Sequence, residues 1–158
     1  MSVFFSRSCE YGIQAVLYLA SREPESPIHL RDISNALRIP HHFLSKIMQT
    51  LERDGVVISH KGANGGFELG RDAKEISIIN IVRAIDGEAF LNGCVLGFPS
   101  CDDTAPCPVH TLWKKSKENI SVMLEKSSVG ELSAELGGKL EFIKSLYSHN
   151  NPTKEINV

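Results

Sequence analysis

The stretch from Leu30 to Leu69 leaves the chain little choice of architecture, because its apolar period switches from helical to alternating with no linker in between. Leu30, Ile33 and Leu37 share one face of a short helix, predicted over Leu30 to Leu37. Arg38-Ile39-Pro40 breaks it, since proline disfavours helical geometry in the residue before it. Leu44, Ile47, Met48 and Leu51 line a second helix, predicted over His41 to Asp54. Two helices joined by so short a turn make a helix-turn-helix. Gly55 tolerates the left-handed geometry that ends a helix. The β-branched run Val56-Val57-Ile58 then reads as a strand, Lys61-Gly62-Ala63-Asn64-Gly65-Gly66 as a turn, and Phe67-Glu68-Leu69 as the returning strand. A hairpin placed directly behind a helix-turn-helix is a wing, so the expected fold is mainly α with a small β-hairpin.

The flanks extend this unit. Ile13, Val16, Leu17 and Ala20 mark a helix from about Cys9 to Arg22, closed by Glu23-Pro24-Glu25-Ser26-Pro27. A further helix over Ile78 to Asp86 stops at Gly87, and the glycines and prolines from Gly93 to Pro108 specify a loop. Pro108 suits the first position of a long helix running to about Glu125. On that helix Trp113, Ile120 and Met123 or Leu124 form a narrow seam suited to a partner helix. The chain thus divides into a winged helix-turn-helix domain over 1–87, a cysteine-rich loop over 88–110, a dimerisation helix and C-terminal segment over 108–147, and a flexible tail over 148–158.

Net charge is −2 over 158 residues, so any nucleic-acid surface must be local. From Arg38 to Arg71 five Lys/Arg face three Asp/Glu (Glu52, Asp54, Glu68), which makes that window positive within an acidic chain. The second helix of a helix-turn-helix enters the major groove. With the buried face removed, His41, His42, Ser45, Lys46 and Gln49 point outward; Lys46 has the reach for guanine edges or phosphate, and Gln49 for adenine. Phe43 is either core or a contact to a thymine methyl. Lys61 and its neighbour Ala63 sit among glycines at the wing tip, where the backbone comes close to a duplex.

No run approaches the roughly 18 apolar residues of a membrane span, and the N-terminal apolar patches are too short for a secretory signal core. A cytoplasmic protein is expected, in which four cysteines serve as ligands or sensors rather than disulfides. Cys94, Cys101, Cys107 and His110 form C-x6-C-x5-C-x2-H in the loop. Thiolates suit zinc, copper(I) or iron–sulfur clusters. Zinc stays open on stoichiometry, but the close C-x2-C pairs of structural zinc sites are missing, whereas a cluster tolerates wider spacing. The positive end of the long helix favours thiolate and an anionic cluster beside Cys107 and His110. Asp102 and Asp103 are read as solvating the turn, and Cys9 as a small buried residue. No nucleophile–base pair and no phosphate-binding glycine loop is visible, so an enzyme is not expected.

Glu10-Tyr11-Gly12-Ile13 opening the first helix, Lys61 to Leu69 in the wing, and Cys94 to His110 followed by Leu112-Trp113 together resemble the Rrf-type family of winged-helix iron–sulfur transcription regulators that includes IscR and NsrR. The resemblance covers roughly Ser6 to Leu136. It implies a homodimer joined through the long helix, bound to a pseudo-palindromic site on double-stranded promoter DNA. It implies a [2Fe–2S] or [4Fe–4S] cluster on Cys94, Cys101 and Cys107, with His110 as fourth ligand or, alternatively, Glu10 of the other subunit. One departure stands out: the first cysteine gap is six residues, where IscR and NsrR have five. Two other functions compete with cluster sensing. One is a regulator with a zinc-binding or thiol-oxidation loop; the other is an iron–sulfur electron carrier, which leaves the wing unexplained.

Overall fold

The computed structural model describes residues 4–22 and 27–136 of the chain. Helix α1 (Arg7–Ala20) is started by Ser6, whose hydroxyl accepts the Cys9 N–H at 3.1 Å. Helices α2 (Leu30–Leu37) and α3 (His41–Arg53) form the helix-turn-helix, with α2 at its expected bounds and α3 one residue shorter than expected. Their turn is locked from both sides. The Ile39 N–H donates to the Ser34 carbonyl at 3.1 Å, and the Ser34 hydroxyl donates to the Ile39 carbonyl at 2.7 Å. Ile39 itself is buried, which pins the turn into the core. Gly55 follows α3 with φ +68°, the left-handed geometry its position required.

Strand β1 (Val57–His60) pairs antiparallel with β2 (Gly66–Leu69), in a register that sets Val57 opposite Leu69 and His60 opposite Gly66. Val56, expected in the strand, instead closes the turn after α3, where its N–H reaches the Leu51 carbonyl at 3.0 Å and its side chain is buried. Ile28 extends the hairpin by bridging Phe67 through two backbone hydrogen bonds of 2.9 and 2.8 Å. That bridge needs a glycine next door: a Cβ on Gly66 would lie 2.5 Å from the carbonyl carbon and oxygen of Ile28. Gly66→Val is therefore expected to cost about 2–3 kcal/mol, through strain or through loss of the two bridge bonds. A lowered urea midpoint at unchanged slope is the expected reading; an unmoved midpoint would make the bridge dispensable.

Helix α4 (Ile78–Asp86) follows at its expected bounds, with the Ser77 N–H donating to the Asn80 side-chain oxygen at 2.9 Å. Two short elements had no periodic signal, the 3-10 turn Ala73–Glu75 and helix α5 (Ala89–Asn92). Helix α6 (His110–Lys126) is the long helix, but Pro108 precedes its cap residue Val109 rather than opening the helix, because the chain first turns from the Cys107 carbonyl to the His110 N–H at 2.9 Å. The expected partner seam is largely spent inside the chain. Leu124 is buried, Ile120 packs on the core, and the Trp113 indole N–H donates to the Gly93 carbonyl at 2.9 Å. The apolar residues that α6 leaves exposed are Leu112, Val122 and Met123.

Beyond α6 the chain returns to the winged unit. The Ile78 N–H meets the Ser127 carbonyl at 3.0 Å, the Val129 N–H meets that of Ile76 at 2.7 Å, and Val129 is fully buried. One core, built from α1, α3 and α4 together with Ile76, Leu124 and Val129, therefore ties the C-terminal end of α6 to the winged unit. Residues 129–136 are helical; the rest of the C-terminal segment to Tyr147 and the tail over 148–158 lie outside the described residues. Among the described residues no helix is long and apolar enough to cross a membrane.

Candidate functional site

The loop after α5 is held at both ends by α6. Trp113 and Lys117 reach the Gly93 carbonyl, at 2.9 and 3.5 Å, while the His110 N–H takes the Cys107 carbonyl. Between these anchors lies a cavity of about 180 Å³, lined by Cys94, Phe98, Ser100, Cys101, Ala105, Cys107 and His110. All four expected loop ligands thus face one space, and the three cysteines are free and half-buried. They do not meet at one point: among the described residues no three His, Cys, Asp or Glu side chains converge tightly enough to hold a single metal ion.

The loop backbone and α6 set the electrostatics. The Cys94 thiol is held below its ordinary pKa, chiefly by the Phe98 N–H, with those of Leu96 and Gly97 and the Cys101 side chain adding to it. Successive N–H groups curled around one atom favour an anion there. Gly97, at φ +77°, makes the curl possible. Lys117 brings its ammonium to 3.9 Å from Cys101 Sγ. His110 is 7% exposed; its Nδ1 lies 3.6 Å from Cys101 Sγ and its Nε2 lies 2.9 Å from Asp103 Oδ1.

The two loop acids behave differently. Asp102 solvates the turn as expected, with hydrogen bonds from Thr104, Ser100 and Ala105 holding its carboxyl at about 2. Asp103 does not. It bonds His110 and pairs with Lys114 at 2.8 Å, and Lys114 first, then His110, draws its pKa down. Sequence reasoning missed this role. The signal was the i, i+4 spacing of His110 and Lys114 on a helix, which presents two donors to one acid in the loop.

Cys9 and Glu10 sit on α1. Cys9 is sealed in the core, and burial first, then the charges of Asp86 and Glu10, push its thiol up to about 12. Glu10 pairs with Arg7 at 3.5 Å and is not among the residues lining the cavity.

On α3, Leu44, Ile47, Met48 and Leu51 are buried, and His41, His42, Lys46 and Gln49 are exposed as expected. Ser45 is half-buried, at the edge of the outward face. Phe43 divides its surface: it meets Tyr11 edge-on at 6.2 Å and remains 40% exposed. No side chain caps α3 at Pro40, whose carbonyl instead accepts the Phe43 and Leu44 N–H groups, each at 3.0 Å. In the wing, Lys61 and Ala63 are exposed. Nearby acids are engaged: Glu52 accepts from the Ser59 hydroxyl, and Glu68 meets His60 at 2.8 Å.

The family profile described as Rrf2, an iron-dependent transcriptional regulator, matches residues 5–135. Over 122 residues the chain is 34% identical to the HTH-type transcriptional regulator IscR of Serratia proteamaculans (strain 568), an alignment covering 77% of this chain and 74% of that protein. It is 33% identical to the IscR of Vibrio campbellii (strain ATCC BAA-1116), again over 122 residues, 77% of this chain and 72% of that one. In structure it is similar to CymR, the global cysteine regulator of B. subtilis, with a TM-score of 0.71 at 23% identity, covering 85% of this chain and 98% of CymR. It is also similar to T. potens IscR, with a TM-score of 0.69 at 24% identity, covering 85% of this chain and 88% of that one. These likenesses place the fold among winged helices.

Proposed function

The chain belongs to the Rrf2 family of iron-dependent transcriptional regulators, and from that membership we propose a homodimer that binds a pseudo-palindromic promoter site and senses redox, nitric oxide or iron–sulfur status through a cluster on Cys94, Cys101 and Cys107. The observation that carries this reading is the shared cavity of three thiols and His110 against the start of α6. A single zinc ion needs its ligands about 2.0–2.3 Å from one point, whereas a cluster spreads them over separate irons. The gaps of six and five residues between the cysteines, with no C-x2-C pair, suit the cluster better than a structural zinc site. When bound, the cluster supplies one-electron and oxidant-sensitive chemistry. His110 is taken as fourth ligand because it lines the same cavity as the three thiols, with Glu10 of the other subunit as the alternative.

The chain's own residues join the loop to the DNA face. Arg83 on α4 holds Glu88, where the loop region begins, at 2.8 Å and reaches Glu125 of α6 at 3.8 Å. At the end of the same helix, Asp86 accepts the Ser6 N–H at 2.8 Å, at the cap of α1. Helices α1 and α4 both pack on α3. A change in loop packing therefore acts on the elements that orient α3, which is the coupling an effector-controlled regulator needs.

The deciding experiment is the visible spectrum of anaerobically purified protein, with iron and sulfide assays. Bands between about 320 and 460 nm with matching iron and sulfide are expected of thiolate-bound clusters. A colourless protein with stoichiometric zinc would instead make the loop a zinc site and leave the DNA-binding assignment standing. A specific, salt-sensitive promoter footprint separates either regulator from an electron carrier.

A further inference from the structure

We propose that Asp103 is a positioning residue that fixes the tautomer and orientation of His110, so that Nδ1 is the ring nitrogen offered to the cluster. This rests on the reading of His110 as a ligand. An imidazole has two polar atoms, and in a neutral ring one carries the proton while the other has the free lone pair. Nε2 lies 2.9 Å from Asp103 Oδ1, and a carboxylate only accepts, so Nε2 carries the proton. The lone pair is then on Nδ1, which lies 3.6 Å from Cys101 Sγ in the lining of the cavity.

Turning the ring over would set a C–H against the carboxylate. It would also leave an N–H without its acceptor in a side chain only 8% exposed, a costly exchange. Asp103 is itself clamped, because Lys114 donates to both of its oxygens, at 3.2 and 2.8 Å. Lys114 lies one turn beyond His110 on α6, so the helix carries both the ligand and the group that steadies its partner. A carboxylate behind a ligating histidine selects the ligating nitrogen and raises its basicity. The carboxylate is solvent-exposed, and its contribution is direction rather than burial energy.

The test uses whole protein from a histidine-auxotrophic host, labelled with nitrogen-15 at Nδ1 only, reconstituted anaerobically, reduced, and measured by pulsed EPR. A strong nitrogen-15 coupling is expected. Asp103→Ala should lower cluster retention about tenfold or more and blur that coupling into a mixture of labelled and unlabelled nitrogen. Asp103→Asn, which keeps an acceptor oxygen in place, should restore it. A strong coupling to unlabelled Nε2 in the unaltered protein overturns the proposal while the ligand assignment survives. So does an Asp103→Ala protein with unchanged spectrum and retention. No strongly coupled nitrogen at all removes His110 from the ligand set and the proposal with it, leaving the three thiols to be judged on iron content.

Discussion

Cys101→Ser is expected to lower reconstituted iron and sulfide at least about tenfold while leaving the fold intact. Cys101 is the sulfur on which the loop's polar contacts meet: His110 Nδ1 at 3.6 Å, the Lys117 ammonium at 3.9 Å, and a hydrogen bond to the Cys94 thiol. Serine has nearly the same shape but a hard oxygen in place of a soft thiolate, so it removes the ligand chemistry and little else. The position is half-buried in a surface loop, and the unfolding free energy should stay within about 0.5 kcal/mol of the parent. Cys9→Ser is the matched control. Its thiol is fully buried in the core and absent from the cavity lining, so iron should be retained while stability falls. Iron at the parent level in Cys101→Ser would take Cys101 out of the site. Equal iron loss in both variants would point to unfolding rather than ligation.

The contrast between these two cysteines also shows what a linear chain discloses. Clustering in a loop of glycines and prolines marked Cys94, Cys101 and Cys107 as a set, whereas Cys9, alone on a helix, was read as core from the usual burial of a free cysteine. The helix-turn-helix was equally local: Leu30–Leu37, Pro40 and the Leu44–Leu51 stripe each specify their own geometry before any tertiary contact. What stayed hidden depends on which neighbour arrives. The stripe Trp113, Ile120 and Leu124 announces that α6 packs against something, but periodicity is the same for a partner helix and for the chain's own core. The fold-back of Val129 onto Ile76, which supplied that core, is a long-range pairing with no sequence signature of its own. Asp103 was hidden for a related reason. An aspartate in a turn ordinarily solvates its own backbone, as Asp102 does, and only the placement of α6 aims the next residue at His110 and Lys114 instead.

Removing the two outward cations of the proposed DNA face is expected to weaken promoter binding about a hundredfold or more and to change its salt dependence. Lys46 on α3 and Lys61 on the wing are both exposed, and neither is in an ion pair among the described residues. They are therefore free to meet phosphates. In a homodimer Lys46→Ala with Lys61→Ala deletes two cations per subunit and four per complex, so the slope of log K against log salt should fall by about four. Gln49→Ala separates positioning from reading. It removes an exposed side chain of the same helix but no charge, so the slope should hold while discrimination at one base pair per half-site drops by about 1–3 kcal/mol. Footprinting and salt titration of the three proteins on one promoter fragment decide the matter. If the lysine pair leaves the slope unchanged, the duplex lies on another face of the winged unit. If the slope falls but Gln49→Ala changes no base preference, α3 and the wing hold the phosphates, and sequence is read by other residues of the outward face or through the shape of the DNA.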